Sequence, residues 1–162
     1  MPHTPPLFSY DEAFSRNLGW VTETEQQRLK ASRVCIAGLG GVGGIYLLTL
    51  ARLGISAFTI ADFDSFALAN FNRQAGATVS SLGHPKIDVM AAMARDINPG
   101  LDLRLFRGGL NDSNLVTFSP TATSIWMASI SLRSRSDVAC FRCVPKEESR
   151  QRPSHHWVWA PR

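Results

Sequence analysis

One stretch of this sequence has the residue types and spacing needed to hold a phosphate. Gly38-Leu39-Gly40-Gly41-Val42-Gly43 places glycines as G-x-G-x-x-G. Glycine suits such a stretch because the turn is tight and the backbone must come close to the phosphates. A helix that follows then offers free N–H groups and the positive end of its dipole. Asp62 lies about twenty residues further on, the distance at which a second strand would end and a carboxylate could accept hydrogen bonds from a ribose. Polar residues follow in order: Asp62-Phe63-Asp64, then Asn70-Phe71-Asn72-Arg73-Gln74, then Gly83-His84-Pro85-Lys86. Arg73 and Lys86 are cations placed after the second strand, where phosphates would lie. Transfer of an adenylyl group from ATP needs cations of this kind, because the triphosphate must be held while pyrophosphate leaves. A dinucleotide fold needs little beyond the glycine loop and the acid. An NAD-binding oxidoreductase fragment is therefore the alternative that Arg73, Gln74 and Lys86 speak against.

The surrounding pattern supplies elements to position these groups. Residues 10–18 predict a short helix with Phe14 and Leu18 on one face. Thr22-Glu23-Thr24-Glu25 reads as a capping box for a helix running to about Ser32. Arg33-Val34-Cys35-Ile36-Ala37 is an apolar run ending at the glycine loop, as a buried parallel strand reads. An apolar helix over 45–53 follows, stopped by Gly54. Phe58 to Ala61 predicts a second strand, 85–97 an amphipathic helix ended by Pro99, and 101–105 a third strand. Asn111-Asp112-Ser113 opens another short helix. Strands alternating with helices indicate an α/β fold with an open, mostly parallel sheet.

These motifs resemble the ThiF/HesA/MoeB family, the bacterial relatives of ubiquitin-activating enzymes. That family carries G-x-G-G-V-G, D-x-D, N-x-N/Q-R-Q and G-x-x-K in this order, and Asp96-Ile97-Asn98-Pro99 is similar to its usual I-N-P helix ending. Phe14-Ser15-Arg16-Asn17 is similar to its R-Y-x-R segment, with Ala13 where an arginine is usual. The resemblance covers residues 10–115 and implies a Rossmann-like ATP-binding fold. It also implies a nucleotide-binding set of Gly38, Gly40, Gly41, Gly43, Asp62, Asp64, Asn70, Arg73 and Lys86, with Arg73 and Lys86 acting on the triphosphate. Arg16 would reach the ATP of a partner subunit in a homodimer. The implied reaction is adenylation of a carboxylate, usually the C-terminus of a ubiquitin-like or sulfur-carrier protein. The implied magnesium ligand belongs to a later Asp-rich motif.

That motif is not readable here. Three units are expected: an N-terminal helical arm over 1–32, a nucleotide-binding domain over 33–115, and a non-homologous tail over 116–162 that leaves the sheet incomplete on its C-terminal side. Residues 1–115 hold ten Lys/Arg and ten Asp/Glu, whereas residues 116–162 hold seven and three, so the whole excess charge of +4 sits in the tail. The basic balance therefore says nothing about nucleic-acid binding by the core. Cys140-Phe141-Arg142-Cys143 is half a zinc site at most, Cys35 reads as a core residue, and no metal ligands are assigned. No secretory signal and no run of 18 apolar residues is present, so a cytoplasmic protein without a membrane span is expected. The codons for Trp126-Met127-Ala128, read one base earlier, necessarily encode Asp-Gly. A frameshift ahead of this point would explain the missing motif. The 162-residue chain would then be a catalytically inactive nucleotide-binding remnant of an enzyme.

Overall fold

The computed structural model describes residues 8–111 and 113–118, together with the backbone of 124–127. Its centre is a parallel sheet of β1 (Arg33–Ala37), β2 (Ala57–Ala61), β3 (Asp102–Phe106) and β4 (Ser124–Met127) in the order β3-β2-β1-β4. Arg33 faces Ala57 and Ala37 faces Ala61 across β1 and β2. Ala57 to Ala61 run beside Asp102 to Phe106, and Val34 to Ala37 run beside Ser124 to Met127. Both connections out of the inner strands carry a helix, α3 (Gly43–Arg52) after β1 and α4 (Lys86–Ile97) after β2.

Alternation of side chains divides the sheet into two apolar faces. Val34, Ile36, Phe58 and Ile60 point to one face, where Leu47 and Ala51 of α3 and Ile87, Met90, Ala91 and Ala94 of α4 bury them. Cys35, Ala37 and Ala61 point to the other, where Phe118 of α5 (Leu115–Phe118) covers them. Phe118 is 1% exposed, sets its ring edge-on to Phe106 at 5.3 Å, and accepts a hydrogen bond from the Cys35 thiol on its carbonyl oxygen.

Two expectations are corrected here. The helix expected over 10–18 breaks at Phe14 into α1 (Tyr10–Ala13) and a 3-10 turn over Ser15–Asn17. The pattern-based reading finds no strand after residue 115, yet β4 lies there and adds a fourth strand beside β1. The rest of the tail, including Cys140, Cys143, His155 and His156, lies outside the described residues.

The N-terminal arm is fastened to the end of α3 by one polar cluster. The capping box forms as expected, with Glu25 Oε2 accepting from the Thr22 N–H at 2.8 Å, and starts α2 (Glu23–Ala31). Gln26, buried on α2, donates to the Leu53 carbonyl at 3.1 Å and to the Tyr10 hydroxyl at 3.0 Å, which in turn donates to the Gly54 carbonyl at 2.6 Å. Burial pushes the Tyr10 hydroxyl above its usual pKa, which keeps it a donor. Asn17 donates to Gln26 Oε1 at 3.1 Å and to the Leu53 carbonyl at 3.2 Å. The carbonyls of Leu53, the C-cap of α3, and of Gly54 just beyond it are satisfied in this way.

Gly54 is indispensable to that junction. Its φ is +91°, and a Cβ would fall onto the Tyr10 hydroxyl and the Gln26 amide. Gly54→Ala is expected to cost about 2 kcal/mol or more in urea denaturation and to speed proteolysis between residues 10 and 26, because strain and overlap add. An unchanged denaturation midpoint would remove the junction from the account. Phe118→Ala is expected to cost about 3–5 kcal/mol by the same measurement. A loss under about 1 kcal/mol would show that the second face does not need α5.

Candidate functional site

The glycine loop lies between the end of β1 and the start of α3, at the carboxyl edge of the sheet. Ligands in open α/β sheets bind along this edge, at the point where strand order reverses. Here that point lies between β1 and β4. The Gly38 N–H donates to the Ala61 carbonyl at 2.8 Å, holding the loop against the tip of β2. Among the described residues no side chain caps α3, so the amides at its start are not taken up by a cap.

Asp62 stands at the tip of β2 against this loop, as the spacing predicts. It is 8% exposed, and both carboxylate oxygens are engaged: Oδ2 accepts from the Leu39 N–H at 2.6 Å and Oδ1 from the Asp64 N–H at 2.8 Å. Asp62 is thus the clamp that fixes the loop. Its oxygens keep further acceptor capacity for a ligand.

Lys86 is the first residue of α4, and its side chain is buried. Nζ pairs with Asp64 Oδ2 at 3.1 Å, and its own N–H donates to the Asp64 carbonyl at 2.9 Å. The segment before it is tied to the chain after β2 by the Phe66 N–H donating to the His84 carbonyl and the Gly83 N–H to the Phe66 carbonyl. Lys86 therefore belongs to one connected set, running from the loop through Asp62 and Asp64 to the ammonium group. A buried ammonium needs a partner, and Asp64 supplies it.

Arg73 reaches the loop from the opposite direction. A Cβ on Gly41 would lie 3.4 Å from the Arg73 carbonyl oxygen and 3.7 Å from its Cγ, ordinary van der Waals contact that places the arginine stem directly beside the loop. The guanidinium donates to the Ala69 carbonyl at 2.7 Å and to Asn72 Oδ1 at 2.9 Å, and the residue is solvent-exposed. Asn70 works through the backbone. Its Oδ1 accepts from the Ala67 N–H at 2.9 Å, and its carbonyl accepts from the N–H groups of Arg73 and Gln74, which shapes the turn presenting both. Gln74 belongs to the motif but carries no role in the sequence reading. It is 8% exposed, and its Oε1 has no hydrogen-bond partner among the described residues.

The structure does not bring Arg16 to this site. Arg16 sits in the 3-10 turn whose Asn17 grips the Leu53 carbonyl, past the C-terminal end of α3. The glycine loop is at the other end of that helix, about 15 Å away along a ten-residue axis. Among the described residues no group of three His, Cys, Asp or Glu side chains converges to hold a metal, and Asp64 already spends an oxygen on Lys86. No helix among the described residues is long and apolar enough to cross a membrane.

The chain resembles known proteins in sequence and in fold. The ThiF family profile matches residues 14–149. The tRNA threonylcarbamoyladenosine dehydratase of Bacillus subtilis is 41% identical over 86 residues, which is 53% of this chain and 34% of that protein. The molybdopterin-synthase adenylyltransferase of Haemophilus influenzae is 33% identical over 95 residues, which is 59% of this chain and 39% of that protein. The crystal structure of Escherichia coli tRNA N6-threonylcarbamoyladenosine dehydratase in complex with ATP superposes with a TM-score of 0.72 at 29% identity, covering 76% of this chain and 51% of that one. The chain thus spans between a third and two-fifths of the length of these two curated relatives. With its glycine loop, acidic clamp and buried lysine in one parallel sheet, and with the family profile running through 136 residues, the chain belongs to the ThiF family.

Proposed function

We propose that this chain carries the nucleotide-binding part of an enzyme that adenylates a carboxylate with ATP. The observation that supports the reading best is the connected set Leu39–Asp62–Asp64–Lys86, which meets Arg73 over Gly41. Loop amides and the start of α3 would receive phosphate oxygens, and Asp62 would accept from the ribose hydroxyls. Among the described residues, the buried Gln74 Oε1 is an acceptor without a donor. Lys86 would exchange Asp64 for the β- and γ-phosphates, and Arg73 would approach them from the exposed side. A substrate carboxylate oxygen then bonds to the α-phosphorus while its bond to the bridging oxygen breaks. Negative charge grows on the departing pyrophosphate, where these two cations stabilise it. A magnesium ligand is expected from outside the described residues, where the ion would help neutralise charge on the phosphates.

The substrate proposed is the C-terminal carboxylate of a ubiquitin-like or sulfur-carrier protein, with Arg16 contributed by the second chain of a homodimer. The Haemophilus relative, a molybdopterin-synthase adenylyltransferase, supports this choice. The Bacillus relative, a tRNA threonylcarbamoyladenosine dehydratase, supports a second substrate reading, in which the threonyl carboxylate of that tRNA nucleoside undergoes the same adenylation step. The missing acidic motif fits a frameshift. The register of Ala37 with Met127 sets the end of β4 beside the glycine loop. A reading frame one base earlier would place Asp-Gly at that edge.

Three results test this. In calorimetric titrations ATP is expected to bind and NAD not to, with Lys86→Ala weakening ATP about tenfold or more, the loss of one charge-assisted contact. Equal affinity for NAD would overturn the nucleotide assignment. In frame-restored protein, ATP–pyrophosphate exchange should appear on adding a carrier ending in Gly-Gly or a threonylcarbamoyl nucleoside, and should vanish in Lys86→Ala. Exchange that survives that substitution would remove Lys86 from the reaction. Resequencing the coding DNA should show an open frame continuing past the Asp-Gly codons, and an immediate stop codon there would refute the frameshift.

A further inference from the structure

Three separate segments carry the groups that would hold the phosphates: the start of α3, the turn bearing Arg73, and the first turn of α4 with Lys86. One buried side chain of α4 lies against the other two. Met90 is four residues after Lys86, one helical turn further along the same face, and is fully buried. Its thioether passes between two glycines. A Cβ on Gly44, the second residue of α3, would lie 3.3 Å from the Met90 Cε, 3.6 Å from its Sδ and 3.1 Å from the Leu39 carbonyl oxygen. A Cβ on Gly76, three residues after Arg73, would lie 2.6 Å from the Met90 Sδ and 2.5 Å from the Phe66 Cζ. Sulfur and ring edge are therefore within about 5 Å of each other, the range of a sulfur–aromatic contact. The backbone of Phe66 in turn holds the segment before Lys86, through His84 and Gly83.

We infer that Met90 is a positioning residue for the triphosphate. The inference rests on the reading that ATP binds at the glycine loop and deepens it by naming the contact that spaces the phosphate-binding segments. Asp62 and Asp64 tie the loop to Lys86 by hydrogen bonds, and that set of bonds does not include the Arg73 turn. Met90 supplies the remaining tie by packing. With a glycine on each side of the thioether, no Cβ holds the segments apart, and the width of one unbranched side chain sets how near they come. A close-packed interior passes such spacing on to whatever it supports. Methionine suits the gap because its chain is unbranched and its sulfur is polarizable. Leucine has nearly the same volume, but it branches at Cγ and ends one atom short. Phosphates need all three segments at their proper distances, whereas a ribose held by Asp62 does not.

Titration of the full chain carrying Met90→Leu with ATP and with adenosine, followed by calorimetry and nuclear magnetic resonance, tests it. Affinity for ATP is expected to fall about tenfold, while adenosine, which has no phosphate, binds as it does to the wild type. Melting should stay close to that of the wild type, as for other volume-conserving core substitutions. Selenomethionine in place of methionine keeps the unbranched shape and should keep the wild-type affinity for ATP. Equal losses for ATP and adenosine would make Met90 a core residue only and overturn the proposal, as would an unchanged affinity for ATP. In the wild type labelled on its methionine methyl groups, the Met90 signal should shift on saturation with ATP and stay in place with adenosine. A Met90 signal that ATP leaves unmoved would overturn the proposal whether or not the variant folds. A wild type that does not bind ATP would refute the nucleotide reading separately. The ligand-free variant then decides the positioning contact: the amide signals of Gly41 and Arg73 should both move from their wild-type places, and unmoved signals would overturn it as well.

Discussion

The carboxylate of Asp62 joins the glycine loop to the turn that carries Asp64. One oxygen holds the Leu39 amide and the other the Asp64 amide, both by short bonds from backbone N–H to carboxylate. Charge-assisted bonds of this kind are about twice as strong as neutral ones, and this carboxylate is nearly buried. The first bond fixes the glycine loop to the end of β2. The second fixes the turn that carries Asp64, and Asp64 holds the buried Lys86. Removing the carboxylate would leave two amides without partners and loosen loop and lysine together.

The rest of the fold serves to place those two amides. Parallel pairing of β1 with β2 in register brings Ala37 beside Ala61, so the loop after one strand meets the acid after the other. Both helices lie on one face of the sheet, where α3 leads away from the loop and α4 starts at Lys86. The second face is thinner, closed among the described residues by small strand side chains and by Phe118. At the far end of α3 the arm is tied to helix-end carbonyls through Tyr10, Asn17 and Gln26. That polar cluster satisfies the carbonyls of Leu53 and Gly54 at the C-terminal end of α3.

Much of this was legible in the sequence because it is local. A five-residue apolar run ending in glycines, a capping box at Thr22, and an amphipathic period ended by Pro99 each carry their own signal, and the structure forms all three. The strand β4 carries none. Four residues cannot display alternation, and Ser124–Met127 is recognisable as a strand only by its pairing with β1. The break at Phe14 was hidden for a related reason. A continuous helical period says nothing about a ring that turns inward to meet Tyr10 at 4.6 Å. The candidate site was legible in residue type and hidden in connectivity. Asp62 was readable as an acid at the tip of the second strand, but its engagement with two backbone amides is a tertiary fact. Lys86 was readable as a cation, but its burial against Asp64 follows from the tie between Phe66 and His84. Gln74 stood in the motif with nothing in its sequence context to show a buried, unpartnered oxygen.

The account turns on the loop, Asp62 and Lys86 forming one nucleotide site. Titration of the isotopically labelled chain with ATP, followed by nuclear magnetic resonance, examines it directly. The account predicts saturating shifts at the amides of Leu39 to Gly43 and Asp64 and at the Lys86 ammonium, as Lys86 passes from Asp64 to phosphate. Shifts confined to residues away from the carboxyl edge of the sheet, with the Lys86 signal unmoved at saturating ATP, would contradict it.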